Sequence, residues 1–153
     1  TDRFPTADGR AHLVSARLSA PAEPPDADYP FVLITGRQLE HWHTGAMTRR
    51  SAVLDAIEPV PHVSLHPQTL ARLGVAAGGC VVLRSRRGQI TVATRADEAV
   101  PPDVAFMPFA YAEAAANLLT IPALDPIAKI AEVKYCAVAI EAVPAMAPLG
   151  MDG

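Results

Sequence analysis

Apolar residues in this chain occur in short runs or alternate with polar ones, which is the pattern of β-strands. Residues 31–34 are four consecutive β-prone apolar residues, whereas residues 62–66 alternate and indicate a strand with one buried face. Two alternating runs around Gly88 predict a β-hairpin. The predicted strands are residues 11–18, 31–34, 62–66, 80–85, 89–95, 104–107 and 135–140.

Helices are predicted only as brief segments. One covers residues 51–57, and a second covers residues 68–73, opened by Pro67 and ended by Gly74 as a left-handed cap. Residues 109–119 begin as a loop and continue as an alanine-rich helical turn. The first helix, capped by Ser51, carries an apolar stripe of Val53, Leu54 and Ile57. Short strands with so little helix predict a mainly β, closed or nearly closed barrel and exclude a doubly wound α/β fold.

The totals favour one folded domain with trailing ends. The chain has 153 residues, 50% of them apolar, and a formal net charge of -3, which gives no reason to expect nucleic acid or an anionic membrane as a partner. No apolar stretch approaches the length of a membrane span. We expect an extended lead-in and linker over residues 1–29, the folded domain over residues 30–143 and a mobile tail over residues 144–153.

The two cysteines, Cys80 and Cys136, both lie in strand-like apolar runs. We expect them to be core residues of a protein in a reducing compartment. A disulfide or a reactive thiol is the alternative. Their spacing does not indicate zinc or an iron–sulfur cluster, and no metal ligand is predicted.

Polar side chains cluster directly after the strand at residues 31–34, in residues 35–48, which we call the polar loop. Burying so many donors without a partner would be costly, so water or a polar ligand must satisfy them. Gly36 lets backbone N–H groups approach a ligand, and the Arg37 guanidinium suits a phosphate or pyrophosphate. Thr44 and Thr48 add hydroxyl donors. The loop therefore predicts a cradle for an anionic ligand.

Two alternatives stay open for the polar loop. In the first, His41 and His43 are metal ligands. The third ligand would then be His62 or His66, and such a site also needs ordered partners around its ligands. In the second, Trp42 and the histidines form a packed corner with no ligand.

A few residues beyond the polar loop also have two interpretations. Asn117 either ends a helix or directs its amide at the edge of a heterocycle, since an amide both donates and accepts. Phe109 and Tyr111 belong either to the core or to the wall of a pocket, and Lys134 is either a solvated charge or an anion contact. The sequence carries no nucleophile elbow, P-loop or paired-carboxylate pattern, so we do not expect a self-sufficient enzyme.

Two sequence blocks together resemble a known family. Residues 35–50, TGRQLEHWHTGAMTRR, resemble the signature loop of the C-terminal dinucleotide-binding domain of molybdopterin oxidoreductases. Segments within residues 113–138, and Gly-Arg-Ala-His at residues 9–12, are similar to the alpha subunit of formate dehydrogenase. The likeness runs over residues 2–143, and assimilatory or periplasmic nitrate reductases, which share much of it, are the alternative.

The resemblance implies a double-psi β-barrel that binds a bis(molybdopterin guanine dinucleotide) cofactor, bis-MGD, carrying molybdenum or tungsten. Residues 35–44 would line its pterin and pyrophosphate part, and Phe109 would approach the cofactor or the substrate funnel. Asn117 and Lys134 would make polar contacts to a pterin. The cofactor-binding residues implied are Thr35, Gly36, Arg37, Gln38, Leu39, Glu40, His41, Trp42, His43, Thr44, Thr48, Phe109, Asn117 and Lys134.

The resemblance also implies a reaction, the two-electron oxidation of formate to carbon dioxide, carried out by a larger subunit. The metal-ligating Cys or selenocysteine, the catalytic His and Arg and the iron–sulfur ligands of the family belong to other domains, so no catalytic residue is expected here. Expected partners are those domains and electron-transfer subunits, in the cytoplasm unless a longer parent is exported. A non-catalytic binding or assembly module and a His-based metal hydrolase are the alternatives from other classes.

The sequence departs from the family's pattern at two places. Ala46 stands where the family usually has Thr or Ser, which removes one hydroxyl contact. Ala110 and Tyr111 replace a His-Phe pair common in formate dehydrogenases, which leaves the substrate open.

Overall fold

The computed structural model describes residues 3–143, and within them it contains six strands, two α-helices and two 3-10 turns. The strands are β1 Phe31–Gly36, β2 His62–Leu65, β3 Cys80–Arg84, β4 Gln89–Ala96, β5 Val104–Pro108 and β6 Cys136–Ala142. The helices are α1 Ala52–Ile57 and α2 Pro67–Leu73, and the 3-10 turns are Thr48–Arg50 and Ala116–Leu118. These six strands differ from the predicted ones by at most two residues at either end.

The strands close into one barrel in the order β1-β5-β2-β4-β3-β6. β1 and β5 are parallel, as are β2 and β4, and the other four pairs are antiparallel. Two parallel pairs inside an otherwise antiparallel closed barrel are the arrangement expected of a double-psi β-barrel. The prediction of a mainly β, closed barrel is therefore confirmed.

Strand directions bring several connections to one end of the barrel. The carboxyl ends of β1, β3 and β5 and the amino ends of β2, β4 and β6 all lie there, because each neighbour's direction follows from its pairing. We call this the loop end. It gathers the polar loop after β1, the β3–β4 turn, the segment after β5 and the segment before β6. All the residues that the sequence predicts to bind a ligand are in or beside these connections.

The barrel interior is filled by aliphatic side chains from all six strands. Those with no exposed surface include Leu33, Val63, Leu65, Val81, Leu83, Met107 and Val138. Ile90 and Val92 point inward as predicted. β2 differs from the prediction of one buried face, since all four of its residues are buried. Its position between β4 and β5, with connections packed outside, covers both faces.

Two local predictions are wrong. Residues 11–18 form no strand and are exposed, with Leu13 97% accessible, because no neighbouring strand lies beside them. The apolar stripe of α1 is also not buried, since Val53 is 73% and Ile57 57% exposed. By contrast, α2 begins at Pro67 and ends at Gly74 in the left-handed conformation, as predicted.

The cysteines divide into two environments. Cys136 is buried at the start of β6, as predicted, whereas Cys80 is exposed at the start of β3, which contradicts its assignment to the core. Both are free thiols. No helix within residues 3–143 is long and apolar enough to cross a membrane. The predicted tail, residues 144–153, lies outside the described residues.

Candidate functional site

The polar loop leaves β1 through a tightly packed corner. The Thr35 hydroxyl is buried and donates to the carbonyl of Val133 at 2.7 Å, which fixes the segment before β6 beside the end of β1. A Cβ on Gly36 would lie 2.4 Å from the Phe106 ring, so glycine is required there by packing against the protein itself. The Phe109 N–H donates to the Gly36 carbonyl at 3.2 Å. The loops after β1 and β5 therefore start side by side.

Beyond this corner, an exposed cluster surrounds Arg37. Its guanidinium donates to Nε2 of His43 at 2.7 Å and lies 5.2 Å from the centre of the Trp42 ring. The His43 ring contacts Trp42 edge-on and lies 6.2 Å from Phe109. Trp42 is 56% exposed, and Arg37 and His43 are exposed as well. Since Nε2 of His43 accepts a hydrogen bond, its ring is neutral and carries its proton on Nδ1.

A second group of polar loop residues faces inward. His41 is 1% exposed, and its Nε2–H donates to the Glu58 carbonyl at 2.8 Å. The Tyr111 hydroxyl donates to the same carbonyl at 2.9 Å and lies 3.3 Å from Oε1 of Gln38. The rings of His41 and Tyr111 meet edge to face. These four residues, Gln38, His41, Glu58 and Tyr111, form what we call the buried junction, which ties three separate connections together.

Two side-chain atoms of the buried junction, Nε2 of Gln38 and Nδ1 of His41, have no hydrogen-bond partner among the described residues. Nδ1 of His41 is buried and makes no hydrogen bond to any part of the described chain. Because Nε2 is bound to the Glu58 carbonyl, Nδ1 is the ring nitrogen that is left without a partner. A buried polar atom of this kind is costly unless a partner reaches it.

Arg49 supports the far side of the junction. Its guanidinium stacks 4.7 Å from the centre of the Tyr111 ring and pairs with Asp55 at 2.6 Å and Glu113 at 2.8 Å. Gly45 stands beside it with a positive φ of 72°, and a Cβ there would lie 2.5 Å from the Ala110 carbonyl oxygen. The loops after β1 and β5 are thus in contact along their length.

The remaining predicted residues of the polar loop line two grooves. One groove is bounded by residues 37–42 together with Thr48, and the other contains Thr44, Arg49 and Glu113. The Thr48 hydroxyl oxygen accepts from the Trp42 N–H at 3.0 Å, which leaves its own O–H free to donate. Leu39 is 96% exposed, whereas Glu40 is half-buried.

Asn117 and Lys134 are both exposed at the loop end. Asn117 lies within the 3-10 turn Ala116–Leu118 and not at a helix end, and its carbonyl accepts from the Thr120 hydroxyl. Lys134 follows Val133, whose carbonyl is bound by Thr35 beside β1. In the part of the chain that is described, the Lys134 ammonium pairs with no carboxylate. The structure brings Lys134 next to the polar loop and places Asn117 earlier in the same β5–β6 connection.

The arrangement of histidines does not favour a metal site. Within residues 3–143, no group of three or more His, Cys, Asp and Glu side chains is placed to hold a metal ion. His66 accepts from the Gln68 N–H through Nδ1 as the cap of α2, and His62 is buried in β2. Burial, and then the charge of Arg95, lower the pKa of His62, so it is neutral near neutral pH.

Electrostatics keep Glu58 charged and Tyr111 neutral. The Arg95 guanidinium, which binds the Glu58 carboxylate at 2.8 Å, lowers the pKa of Glu58. Burial raises the pKa of Tyr111. The hydroxyl therefore stays protonated as a donor to the Glu58 carbonyl across the physiological range.

Sequence reasoning missed the residues that hold the loop from beneath. Tyr111 had two open interpretations, while Glu58, Arg49 and Phe106 were not singled out at all. Their contacts join positions far apart in the chain, such as Tyr111 and Glu58, and the local pattern of apolar and polar residues cannot reveal such contacts. The alternative of a packed corner fits His41, which is buried, but not Trp42 and His43, which are exposed.

A family model described as "Molydopterin dinucleotide binding domain" matches residues 31–137. Among curated proteins, the chain is 44% identical over 140 residues to the F420-dependent formate dehydrogenase subunit alpha of Methanocaldococcus jannaschii, covering 92% of the chain and 21% of that protein. It is 39% identical over 136 residues to the F420-dependent formate dehydrogenase 1 subunit alpha of Methanococcus maripaludis, covering 89% of the chain and 20% of that protein. The chain spans about a fifth of the length of these relatives.

Among solved structures, acetylene hydratase from Pelobacter acetylenicus is similar with a TM-score of 0.66. The match covers 75% of this chain and 18% of that chain at 18% sequence identity. At that identity the likeness establishes the fold alone, and it agrees with the barrel described above.

Proposed function

This chain belongs to the molybdopterin dinucleotide-binding domain family, and from that premise we propose that it is the C-terminal cofactor-binding domain of the catalytic subunit of a formate dehydrogenase. Its two curated relatives are alpha subunits of formate dehydrogenases, and the alignments cover 92% and 89% of the chain. The cofactor proposed is molybdopterin guanine dinucleotide in its bis form, carrying molybdenum or tungsten. Other domains of the subunit and electron-transfer subunits complete the enzyme, in the cytoplasm.

The observation that carries the proposal is the state of Arg37. Its guanidinium is ordered by two neutral partners, the His43 ring and the Trp42 ring, and forms no ion pair within residues 3–143. Its positive charge is thus held in place without compensation. An ordered and unpaired guanidinium is suited to a pyrophosphate, which can accept two parallel hydrogen bonds from it.

The other donors around Arg37 fit the same ligand. Trp42 is exposed with its indole N–H, Thr48 has a free O–H, and Lys134 adds a second uncompensated cation at the loop end. A pterin or a guanine carries both donors and acceptors on its ring edges, and the buried Nδ1 of His41 has no partner among the described residues. The residues present therefore fit an anionic ligand with a heterocycle at its end.

Each predicted residue has a distinct place in this proposal. Arg37, Thr44, Thr48 and Lys134 supply donors to phosphate or pterin oxygens, and Asn117 contacts the edge of a pterin. Thr35 and Gly36 can contribute only backbone groups, because the Thr35 hydroxyl is used by Val133 and Phe106 packs on Gly36. The members that form the wall of the site are Gln38, Leu39, Glu40, Trp42, His43 and Phe109.

When bound, the cofactor would supply the metal at which formate loses two electrons and a proton to give carbon dioxide. This domain would bind and orient the cofactor's dinucleotide. It would also exclude water from the face that Trp42 and Phe109 cover.

The test is cofactor retention by the full-length subunit that carries this chain. Arg37→Ala is expected to lower the guanine nucleotide released per subunit about tenfold under dilute conditions, the size expected when a charge-assisted hydrogen bond to phosphate is lost. Acid release followed by quantitative chromatography measures the nucleotide. Arg17→Ala is the matched control, since it removes the same charge from the exposed, strand-free segment.

Equal nucleotide in Arg37→Ala and Arg17→Ala would remove Arg37 from the site. Unchanged nucleotide in Arg37→Ala, His41→Ala and Lys134→Ala together would sink the proposal. A binding or assembly module with no nucleotide would then be the function to pursue.

A further inference from the structure

The segment that precedes the barrel, residues 22–29, is fastened to the loop end by ion pairs. We call it the strap. Its Glu23 side chain is only 14% exposed and receives both terminal nitrogens of the Arg87 guanidinium. The same carboxylate accepts from the Ala137 N–H of β6 at 2.9 Å, and Arg86 lies 3.5 Å away. The hydrogen bonds from Arg87 lower the pKa of Glu23, so this anchor is ionised at neutral pH.

The strap is held at its other end too. Tyr29 lies between Arg84 and Arg86, with their guanidinium carbons 5.2 and 4.4 Å from its ring centre. Asp26 pairs with Arg86 and accepts from the Tyr29 N–H at 2.9 Å. Residues 11–20, just before the strap, are exposed throughout, so the strap is the first part of the chain after them that packs on the barrel.

Arg87 extends from the strap to the turn that carries Asn117. Its Nε and Nη2 donate to the Leu119 carbonyl at 3.0 and 2.8 Å. Gly88 packs on the same turn, since a Cβ there would lie 3.1 Å from the Leu118 carbonyl oxygen. The 3-10 turn is three residues long, and its own hydrogen bonds include those from Leu118 to Ala115 and from Leu119 to Ala116. So short a turn is not rigid by itself.

The strap also reaches the segment before β6. The Ala22 N–H donates to the carboxylate of Glu132 at 3.3 Å, two residues before Lys134. The strap therefore reaches the β5–β6 connection, which carries both Asn117 and Lys134, at two places: through Arg87 at Leu119 and directly at Glu132.

We propose that Glu23 and Arg87 are positioning residues of the cofactor site, which hold the Asn117 turn in place through the Leu119 carbonyl. The proposal rests on the proposed function, in which Asn117 contacts the pterin. Neither residue touches the ligand. They hold the turn in one conformation before the ligand binds, so that less conformational entropy is lost on binding. Binding is then tighter and release of the ligand is slower.

The experiment uses the full-length subunit with Arg87→Ala, Arg87→Lys and Glu23→Ala. Amide hydrogen exchange at Leu118 and Leu119 reports the turn, and the rate of guanine nucleotide release reports the site. Arg87→Ala is expected to speed both by about tenfold, the effect of losing a charge-assisted hydrogen bond. Arg87→Lys keeps the positive charge but loses the planar guanidinium that binds Glu23 and Leu119 together. Its exchange and nucleotide-release rates are therefore expected to lie between those of wild type and Arg87→Ala.

Arg72→Ala is the matched control. Arg72 also pairs with a carboxylate, that of Asp103, and reaches the carbonyl of Pro102, but at the opposite end of the barrel where β5 begins. It is expected to leave exchange at the turn and nucleotide release unchanged. If Arg87→Ala does not fold, Glu23→Ala and Arg87→Lys carry the same two readouts.

Asn117→Ala separates the two proposals. If it speeds nucleotide release while the Arg87 and Glu23 variants behave like Arg72→Ala, the positioning role is overturned and the cofactor site stands. If Asn117→Ala also leaves release unchanged, the pterin contact falls and the positioning role falls with it. Faster exchange and faster release in the Arg87 variants, with neither change in Arg72→Ala, would establish the role.

Discussion

At the scale of single residues, the basic side chains are of two kinds: those that form ion pairs with carboxylates and those that do not. Arg49, Arg87 and Arg95 each bind a carboxylate at the protein's own surface. Arg37, by contrast, is held by a neutral imidazole and an indole, and Lys134 pairs with no acidic side chain in residues 3–143. Compensated arginines support structure, whereas cations without an ion pair, such as Arg37 and Lys134, are suited to an anion from outside.

Glu58 illustrates the compensated class, and its charge can be tested by pH. Arg95 lowers the folded-state pKa of Glu58 below its ordinary value of 4.5, so the ionised pair stabilises the fold above that value and the stabilisation is lost as the pH falls through the folded-state pKa. Glu58→Gln is expected to lower the free energy of unfolding by about 1 kcal/mol or less near pH 7, because the Arg95 side chain is 47% exposed and solvent screens the pair. The difference should shrink as the pH falls below 4.5, and pH values of about 7 and about 3 are the two conditions compared.

Urea unfolding of both proteins at the two pH values measures this difference. The substitution keeps the backbone carbonyl that His41 and Tyr111 share, so the buried junction is expected to survive. Glu98→Gln, at an exposed turn position with no ion pair in the described chain, is the control. A Glu58→Gln deficit that is as large at about pH 3 as near pH 7 would contradict the argument.

At the scale of elements, the loops after β1 and β5 act as one unit. They start together because the Phe109 N–H binds the Gly36 carbonyl, and they stay together through Arg49, Glu113 and the close approach of Gly45 to Ala110. The parallel pairing of β1 with β5 makes this possible, since it places both carboxyl ends at one level. The proposed cradle would therefore be built by two connections that are more than 60 residues apart in sequence.

Gly45 tests how closely the two loops fit. Gly45→Ala is expected to lower the free energy of unfolding by about 3 kcal/mol, combining the strain of a positive φ with overlap against a backbone carbonyl that cannot rotate away. Gly74→Ala is the matched control, since its φ of 68° is similar but nothing lies within 4 Å of the added Cβ. It should cost only about 1 kcal/mol, the strain alone. Equal losses in denaturant unfolding would show that the loops separate readily.

Local signals in the sequence predicted most elements, and contacts between distant residues account for the errors. The β3–β4 hairpin and the Pro67 to Gly74 helix depend on turn chemistry within a few residues, and both are confirmed. A strand at residues 11–18 fits its composition but has no partner in the barrel. An alternating apolar pattern shows that a segment can form a strand. Whether it does depends on a neighbouring strand to pair with, which the local sequence does not reveal.

The candidate site shows the same difference between local sequence signals and contacts between distant residues. The polar loop was found because its donors are consecutive in sequence, and the structure leaves Arg37, Trp42 and Thr44 facing outward. The buried junction was not found, because the shared Glu58 carbonyl is a backbone atom that side-chain patterns do not reveal. Cys80 was assigned to the core because its neighbours are apolar, whereas alternation along β3 turns its side chain outward.

At the scale of the whole molecule, β6 closes the barrel by pairing with β1 on one side and β3 on the other. Cys136 pairs with Leu33 at the β1–β6 seam and has no exposed surface. Burial raises the pKa of its thiol to about 11. Near pH 7 only about one thiol in ten thousand would then be ionised in the closed barrel. Cys136 is therefore protected from alkylation in two ways: reagents cannot reach it, and almost none of it is the reactive thiolate.

Alkylation of Cys136 should therefore report opening of the barrel as a unit. In a Cys80→Ser variant, which removes the exposed thiol, modification of Cys136 by iodoacetamide is expected to proceed only through unfolding, because a seam strand cannot leave a closed barrel without breaking two pairings. The rate should rise with urea along the same slope as global unfolding followed by circular dichroism. In the Cys136→Ser variant, by contrast, Cys80 should react in the native state at the rate of an ordinary exposed thiol. Native-state labelling of Cys136 with no dependence on urea would mean that the β1–β6 seam opens locally, and that the loop end is not held by a closed barrel.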